Sequence, residues 1–335
     1  FAMKNLLVAM VGVLTVGLSA SCYSYGGDLD TQCCRQSIGS KLCATVCLDN
    51  PWSGYIDAVL LGRDQTYAGD LVMRSGSPVT VALSGTDLDF DSATGVRVGF
   101  YRSLSCCREL ELLFTGMGNW QSEGFTTGNN DLFLPGNLGA LPDFTGADAC
   151  ASQYTSGMRS FEANVVREKH GIKWLAGFRY LKLDEAFSLT SFDFDSFDGE
   201  YTIQTDNSLY GGQLGCRWER AFGRTAFCVS AKSGIFGNQA EQRSRVEIQS
   251  GTNVVRDRTK ADQVVANVSE ITLNSDFVLT DCINLRLGLD LLWASDLALA
   301  PNQLDFSDDA TSSDFVDTSG SVFMQGAHIG LSVVF

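Results

Sequence analysis

The stretch that most constrains the fold is CINLRLGLDLLW, residues 282–293. Every odd-numbered position from 283 to 293 is apolar, whereas positions 284, 286, 288 and 290 hold Asn, Arg, Gly and Asp. Because successive side chains of a strand point to opposite faces, this pattern predicts a strand with one apolar and one polar face. A soluble sandwich would turn the leucines inward, whereas a membrane barrel would turn them toward lipid.

The same alternation recurs along the chain. It is found in RELELLFTGMGNW (108–120), GIKWLAGFRYLKL (171–183) and SLYGGQLGCRWER (208–220). Together these segments favour an all-β fold. The predicted strands are 52–62, 96–104, 108–120, 157–167, 171–185, 201–220, 224–236, 264–279, 282–294 and 321–335. About ten antiparallel strands is an even number, as in bacterial transmembrane barrels.

The connections between these strands alternate between short and long. Short turns are expected at SCCR (105–108), EKHG (168–171), AFGR (221–224) and LTDC (279–282). Long polar connections are expected at 64–95, 121–156, 186–200, 237–262 and 296–319. Short periplasmic turns and long outer loops are typical of an outer-membrane β-barrel, whereas a soluble sandwich has no reason to place all its short turns at one end.

The charged face decides between the two folds. An Arg or Lys that faces lipid at mid-membrane costs about 2 to 4 kcal/mol, so several of them would exceed the net stability of a domain. The charges are therefore expected in the lumen, and the alternative is the solvated face of a soluble sheet. The candidate lumen charges are Glu109, Glu111, Lys173, Arg179, Arg217, Glu219, Glu270, Asp276, Arg286 and Asp290.

Aromatic residues near the strand ends are expected to form girdles at the two membrane interfaces, although some could fill a core instead. The girdle candidates are Trp52, Trp120, Trp174, Trp218, Phe222 and Trp293. The last strand ends on Phe335. A terminal aromatic on an alternating strand resembles the recognition signal of outer-membrane barrels, which implies the barrel assembly machinery as a partner.

The beginning of the chain has the layout of a secretory signal. Lys4 precedes an apolar run from residue 6 to 18 that is too short to span a bilayer, and small residues follow it. The expected organisation is a signal peptide (1–21), a cysteine-rich segment (22–50) and the barrel (51–335). A retained anchor and lipidation of Cys22 are the alternatives.

The net charge of −15 argues against nucleic acid as a partner, and no cofactor motif is found. Eleven cysteines in an exported chain permit disulfides. These are expected among Cys33, Cys34, Cys43 and Cys47, with Cys106 and Cys107 as further partners, in preference to metal binding. Cys216 and Cys228 lie on opposite faces of paired strands, so no bond is expected between them.

Acidic segments fall in the expected outer loops, at 87–91, 193–200 and 305–317. The spacing of DFDSFDGE does not match a helix-loop-helix calcium site, so solvated loops are favoured and no metal site is predicted. Divalent ions that bridge these loops to lipopolysaccharide phosphates are the alternative. Only His170 and His328 are available for acid-base work, which leaves a lipid-modifying barrel enzyme as a remote alternative.

Five segments carry a family resemblance. They are WSGYIDAVLLGRD, GVRVGFYRSLSCCRELELLFTGMGNW, LAGFRYLKLDEAF, NSLYGGQLGCRWER and KSGIFGN. In this order and spacing, from about Trp52 to Phe335, they resemble β-barrel porin family seven of bacterial outer membranes. The resemblance implies an outer-membrane barrel and a pore, but it implies no active-site residues and does not extend to the cysteine-rich segment.

These features together predict a narrow passage for small polar or ionic solutes. Arg179, Arg217 and Arg286 would face the lumen carboxylates as a fixed-field filter. Two observations leave other outcomes open. A barrel of about eight strands is already filled by side chains. The inward glycines 177, 215, 288, 326 and 330 could serve either passage or curvature. A salt-bridge plug and a structural or adhesive surface barrel with acidic loops therefore stand as alternatives.

Overall fold

A computed structural model describes residues 52–65, 67–105, 108–193, 198–308 and 312–334. The signal-peptide, cysteine-rich and terminal Phe335 predictions lie outside these residues, as do Cys106 and Cys107. All long elements in the described ranges are strands. They are β1 Trp52–Arg63, β2 Asp70–Arg74, β3 Thr80–Ser84, β4 Ala93–Ser105, β5 Arg108–Met117, β6 Trp120–Phe133, β7 Thr145–Lys169, β8 Ile172–Phe192, β9 Gly199–Phe222, β10 Thr225–Ile248, β11 Asn253–Val278, β12 Ile283–Leu297 and β13 Gly320–Val334.

Short 3₁₀ turns supplement the strands at Gly85–Asp87, Leu138–Ala140, Pro142–Phe144 and Ala300–Gln303. No helix in the described part of the chain is long and apolar enough to cross a membrane.

The strands form one antiparallel sheet that closes on itself. The sheet contains thirteen strands, more than the ten expected. Ten of them make the ring, in the order β7-β5-β4-β1-β13-β12-β11-β10-β9-β8 and back to β7. The seam is the pairing of β1 with β13, in which Asp57 lies opposite Gly330. A closed ring leaves no unpaired edge at the level where all ten strands run together, which is the condition for crossing lipid.

The three additional strands lie above the ring, on the side away from the short turns. β2 and β3 form a hairpin within the expected loop 64–95, and β2 pairs with the far end of β6. β6 continues β5 along the same edge of β7. Gly116 lies opposite Arg159, but Trp120 lies opposite Ser156, so three residues of one strand face two of the other. This extra residue is a β-bulge, and it reverses the faces of all side chains that follow.

The short turns at 168–171, 221–224 and 279–282, which the structure describes in full, are found where they were predicted. His170 and Gly171 both have positive φ, at 55° and 76°, and join β7 to β8 in the left-handed conformation that two-residue hairpins need. Gly223, with φ 60°, serves the same purpose between β9 and β10. The hairpin ends lie on one rim, which we call the periplasmic rim.

Three of the expected long loops are wrong. Most of residues 121–156, 186–200 and 237–262 belong to strands, because β6 to β11 continue well beyond the apolar belt. Above the belt the outer face of a strand meets water, so its residues are polar. The inner face combines buried apolar residues such as Phe187 and Ile203 with buried polar ones such as Gln242 and Ser244, so the apolar-outward alternation of the belt is lost. Polar composition there reflects the surroundings and not a lack of secondary structure.

Exposed apolar side chains form a belt around the outside of the ring. Examples are Ile56 at 55% exposure, Leu214 at 69% and Ile235 at 70%, each flanked in its strand by less exposed neighbours that face inward. In water this pattern would be unfavourable, since large contiguous apolar surfaces are not left exposed by soluble proteins. The apolar face is therefore the outer face. This agrees with the prediction that charged side chains face the lumen because they are costly to expose to lipid.

Candidate functional site

The lumen is the candidate functional site, and its periplasmic half is filled by ion pairs. All ten predicted lumen charges point inward, and each of them takes part in an ion pair. Four further charged residues pair with them. With these four, the layer contains six Lys or Arg residues and eight carboxylates. We call this set the ion-pair layer. Its missed members are Asp57, Arg97, Glu162 and Lys232.

A four-membered ring of charges occupies the centre of the layer. Arg179 lies 2.8 Å from Glu270 and 3.6 Å from Glu162, while Lys232 lies 3.1 Å and 3.0 Å from the same two carboxylates. Gln213 donates a further hydrogen bond of 2.7 Å to Glu162. Alternating charges with additional hydrogen bonds is the arrangement that allows ions to be buried without a prohibitive desolvation cost.

A second group centres on Asp290. One of its oxygens accepts from Arg97 at 3.0 Å and from Thr272 at 3.1 Å, and the other lies 2.7 Å from Nδ1 of His328. The second ring nitrogen of His328 lies 2.6 Å from Oδ1 of Asn274. The imidazole is thus held between two oxygens, with only 4% of the residue exposed.

Three groups near the periplasmic rim complete the layer. Lys173 bridges Glu109 at 3.5 Å and Glu219 at 3.0 Å. Arg286 lies 3.1 Å from Asp57 and 3.6 Å from Asp276, and its guanidinium stacks on the Tyr55 ring. The ion pair of Arg286 with Asp57 crosses over β13 and so spans the seam. Arg217 pairs with Glu111 in the same region.

An apolar layer lies directly above the ion-pair layer and closes the lumen. Its inward-facing members include Leu61, Leu181, Leu209, Phe236 and Met324, none more than 2% exposed. Side chains that lined a water-filled channel would be accessible to solvent. At this level the described residues fill the ring, as expected for a barrel only slightly larger than eight strands.

Trp120 belongs to this apolar layer, so its assignment to the aromatic girdle is wrong. It is fully buried, and its indole Nε1 donates a 2.8 Å hydrogen bond to the carbonyl oxygen of Leu61. The cause is the bulge between β5 and β6, which turns Trp120 inward although it shares the even-numbered positions of outward-facing Leu110 and Leu112. The remaining girdle candidates are exposed: Trp52, Trp174, Trp218 and Phe222 near the periplasmic rim, and Trp293 near the opposite edge of the belt.

The segment between β12 and β13 enters the outer mouth of the barrel with its described residues, 298–308 and 312–319; we call it the plug segment. The wall binds its backbone through inward polar side chains. Asn207 donates a 2.8 Å hydrogen bond to the carbonyl oxygen of Ala298 and accepts another of 2.8 Å from the amide of the same residue. Glu185 accepts a 2.8 Å hydrogen bond from the amide of Ala300. Gln242 donates to the carbonyl of Phe315 at 2.7 Å. The polar composition of this segment predicts an outer loop, whereas the chain folds inward.

The plug segment also carries its own acidic clasp. Asp305 accepts hydrogen bonds from the Ser313 amide at 2.7 Å and from the Ser307 hydroxyl at 2.6 Å. Burial would raise the pKa of Asp305, but these hydrogen bonds outweigh it and hold the pKa below its ordinary value. Arg256 donates to the carbonyl oxygens of Asp305 and Ser307, which ties the clasp to β11.

Glycines in the wall permit close approach and not passage. A Cβ on Gly326 would lie 1.9 Å from the Leu60 carbonyl oxygen, and one on Gly288 would lie 2.4 Å from the His328 ring. These positions are glycine because the neighbouring strand and the buried imidazole occupy the space. Close packing, and not passage, therefore explains the glycines at these two positions.

Cys216 and Cys228 are both free thiols, as expected from their opposite faces. In the ranges that the structure describes, no group of three or more His, Cys, Asp or Glu side chains could hold a metal ion. The calcium hypothesis for residues 193–200 is not tested, since residues 194–197 lie outside those ranges.

A model of the family described as putative beta barrel porin-7 matches residues 136–335, more than half of the chain. The chain belongs to this family. Membership, together with the closed ring and its apolar belt, places the protein in the bacterial outer membrane and bears out the resemblance of its hairpins. A porin family also favours a barrel without enzymatic activity. No curated protein sequence matches the chain.

Solved structures of outer-membrane barrels are similar at low identity. The protease OmpT of Escherichia coli is 10% identical, covers 86% of this chain and 97% of its own, and has a TM-score of 0.43. The translocator domain of the autotransporter NalP of Neisseria meningitidis is 7% identical over 100% of this chain and 96% of its own, with a TM-score of 0.40. The outer membrane protein OprG of Pseudomonas aeruginosa is 10% identical over 84% and 96%, with a TM-score of 0.31.

Proposed function

We propose that this member of the family is a closed barrel in its ground state, and that its activity depends on the polar surface it holds above the membrane. The observation that carries the proposal is the threefold occlusion of the lumen. The ion-pair layer, the apolar layer and the plug segment follow one another along the axis, and residues at each level are buried. A passive pore needs a continuous water path, and the residues that the structure describes leave none at these levels.

The extension above the belt supports display as the activity. β7 to β11 continue upward around a second apolar core, which includes Leu71, Phe144, Phe187 and Tyr201, each completely buried. A packed core gives this part a fixed shape, so its outer face is a rigid surface and not a set of mobile loops. We propose lipopolysaccharide as the ligand for that face, because polar residues beyond the apolar belt would lie next to its sugars and phosphates.

A gated passage is the second candidate, and family membership favours it. Opening would require the plug segment to leave the mouth and the apolar layer to part. The remaining ion-pair layer, with eight carboxylates against six Lys or Arg residues, would favour cations. In this candidate Arg179, Arg217 and Arg286 remain the selecting groups.

We further propose that the barrel is not a lipid-modifying enzyme. His328 is enclosed by Asp290 and Asn274, and its neighbours leave no room for a substrate. An enzyme would need its acid-base group to reach a bond in the substrate. Purified protein incubated with phospholipid vesicles should release no fatty acid, and release that His328→Ala abolishes would contradict this.

Planar-bilayer recording separates a closed barrel from an open pore. The purified wild-type protein should give no unitary current steps in 1 M KCl. A variant in which residues 300–318 are replaced by a short Gly-Ser linker serves as the comparison, because it removes the plug but keeps the ion-pair layer. Steady current steps from the wild type would overturn the closed-barrel proposal. Current from the linker variant alone would support the gated passage.

A further inference from the structure

Basic side chains gather on the lipid-facing surface at the periplasmic rim of one side of the barrel. Arg102, Arg108, Arg167 and Arg220 have the same strand parity as the belt residues Phe100, Phe114, Val165 and Trp218, so they point away from the lumen. All four are exposed. On the β10–β13 side, the corresponding outward positions are apolar, for example Phe227, Phe277, Ile283 and Val333.

Two of these arginines face each other directly. Arg108 of β5 lies opposite Arg167 of β7 in the antiparallel register. Side chains so placed have Cβ atoms about 4.5 to 5.5 Å apart, and like charges there repel. Among the residues that the structure describes, no carboxylate lies within ion-pair distance of Arg102, Arg108, Arg167 or Arg220.

The opposite edge of the belt is built differently. There Lys182 lies 2.8 Å from Asp184 and 2.9 Å from Asp206, and Arg243 lies 2.8 Å from Asp257. Lys182 and Arg243 are thus neutralised by carboxylates of the protein, whereas the four arginines at the periplasmic rim are not. An unneutralised pair of guanidinium groups at a lipid interface needs an anion from its surroundings.

Aromatic rings lie next to the arginines. Arg167 pairs in register with Trp174, and the guanidinium of Arg102 lies 5.0 Å from the Trp52 ring centroid. Tryptophan at this depth sits at the headgroup level, where arginine stems can extend along the acyl boundary and place their charge among the phosphates. The site therefore offers two planar donors for a phosphate and aromatic surface for the adjoining glycerol and acyl chains.

We propose that Arg108 and Arg167, flanked by Trp174, form a binding site for the phosphate of an anionic phospholipid in the inner leaflet of the outer membrane. The chain as a whole carries a net charge of −15, so it would repel anionic lipid if charge acted only globally. A preference for anionic lipid must therefore come from a local site.

Quenching of Trp174 by brominated lipid tests this site. A variant with Trp52→Phe, Trp218→Phe and Trp293→Phe keeps Trp174 as the lipid-facing reporter, because the other remaining indole, Trp120, is buried inside the ring. The protein is reconstituted with mixtures of brominated phosphatidylglycerol or brominated phosphatidylcholine. We expect phosphatidylglycerol to bind at Trp174 at least about fivefold more strongly, from the attraction of two arginines near an interface.

Arg108→Gln with Arg167→Gln should reduce this preference to nearly one, whereas Arg108→Lys with Arg167→Lys should keep most of it. Arg159→Gln is the matched control, since Arg159 faces outward on the same strand at the other edge of the belt. Each variant is first checked for heat-modifiable migration, which reports a folded barrel. Equal quenching by the two lipids in the starting protein, or a preference that survives the double Gln variant, would overturn the proposal.

Inorganic phosphate distinguishes a lipid site from a general phosphate site. At matched ionic strength, 50 mM phosphate in place of chloride should leave the lipid preference within about twofold. If phosphate abolishes the preference, the arginines bind free phosphate and the assignment to lipid is wrong.

Discussion

Glu162 and Glu270 lie on strands separated by three others around the ring, yet they bind the same two cations, Arg179 and Lys232. The lumen is therefore braced from side to side by charge at the level where lipid surrounds the wall. This arrangement stabilises the barrel only while all four charges are present. Each charge has lost its contact with water on burial, and its neighbours replace that interaction.

Lys232→Met should destabilise the barrel by about 3 to 5 kcal/mol, since it leaves two buried carboxylates with one cation between them. The free energy of unfolding in detergent, from urea titration followed by tryptophan fluorescence, measures this. Lys182→Met is the matched control and should cost no more than about 1 kcal/mol, because Lys182 is outward-facing and partly exposed. Adding Glu162→Leu to Lys232→Met should recover part of the loss. Equal losses of unfolding free energy for the Lys232 and Lys182 variants would show that the four-charge group does not stabilise the barrel.

Trp120→Ala should cost about 3 to 5 kcal/mol, because it opens a cavity in the apolar layer and removes the hydrogen bond to Leu61. Trp174→Ala is the control, since that side chain faces lipid. The same urea titration compares them. Brominated phosphatidylcholine should quench Trp174 but not Trp120, and strong quenching of Trp120 would mean that the bulge does not turn it inward.

The acidic clasp predicts a pH dependence of a specific sign. The pKa of Asp305 is lower in the folded protein than the ordinary value of about 3.9, so its contribution to stability is present above that value and is lost as the pH falls through the folded pKa. The thermal unfolding midpoint of the wild type should exceed that of Asp305→Asn at pH 6. The difference should shrink as the pH falls below the ordinary carboxyl pKa of about 3.9 and through the lower pKa of the folded state. A difference that stays constant down to the pH at which the protein unfolds in acid would exclude this role.

Cys150 should be unreactive in the folded protein. It is completely buried in the outer core, and burial raises the pKa of its thiol to about 11. Maleimide labelling at pH 8, located by peptide mass spectrometry, should detect Cys150 only after denaturation. Gln153→Cys, on the exposed face of the same strand, should label at once in the folded protein. Rapid labelling of native Cys150 would show that the outer core opens.

The membrane-spanning half of the fold was predictable because lipid imposes the period of two. In β8 and β12 every second residue faces acyl chains, so residues 172–180 and 283–293 alternate clearly. The outer halves were not predictable by this means. Residues 238–248 of β10 have buried polar side chains such as Asn238, Gln242 and Ser244 on the inner face and charged ones on the outer face, so hydropathy carries no contrast there.

The lumen site was half predictable for a related reason. The alternation of side chains along each strand shows that Arg179 and Glu270 point inward. Only the closed barrel shows that Glu162 and Lys232 join them in one group of ion pairs. The assignment of Trp120 to the aromatic girdle was wrong because one inserted residue reverses the faces of the strand. The hydropathy of GMGN (116–119) gives no signal for such a bulge. A signal that could have found Glu162 was available, since MRSFEANVV (158–166) also alternates.

The seam between β1 and β13 has a consequence for how the barrel is made. Neighbouring strands of the hairpins are separated by only a few residues in the chain, whereas Ile56 must find Leu331. Hairpin formation is local and fast, but a contact between such distant positions carries a large loop-closure entropy, so closure is expected to be the slow step of assembly. Until then the growing sheet would expose two unpaired edges, and the ion pair of Arg286 with Asp57 could form only at the end, as a latch on the finished cylinder.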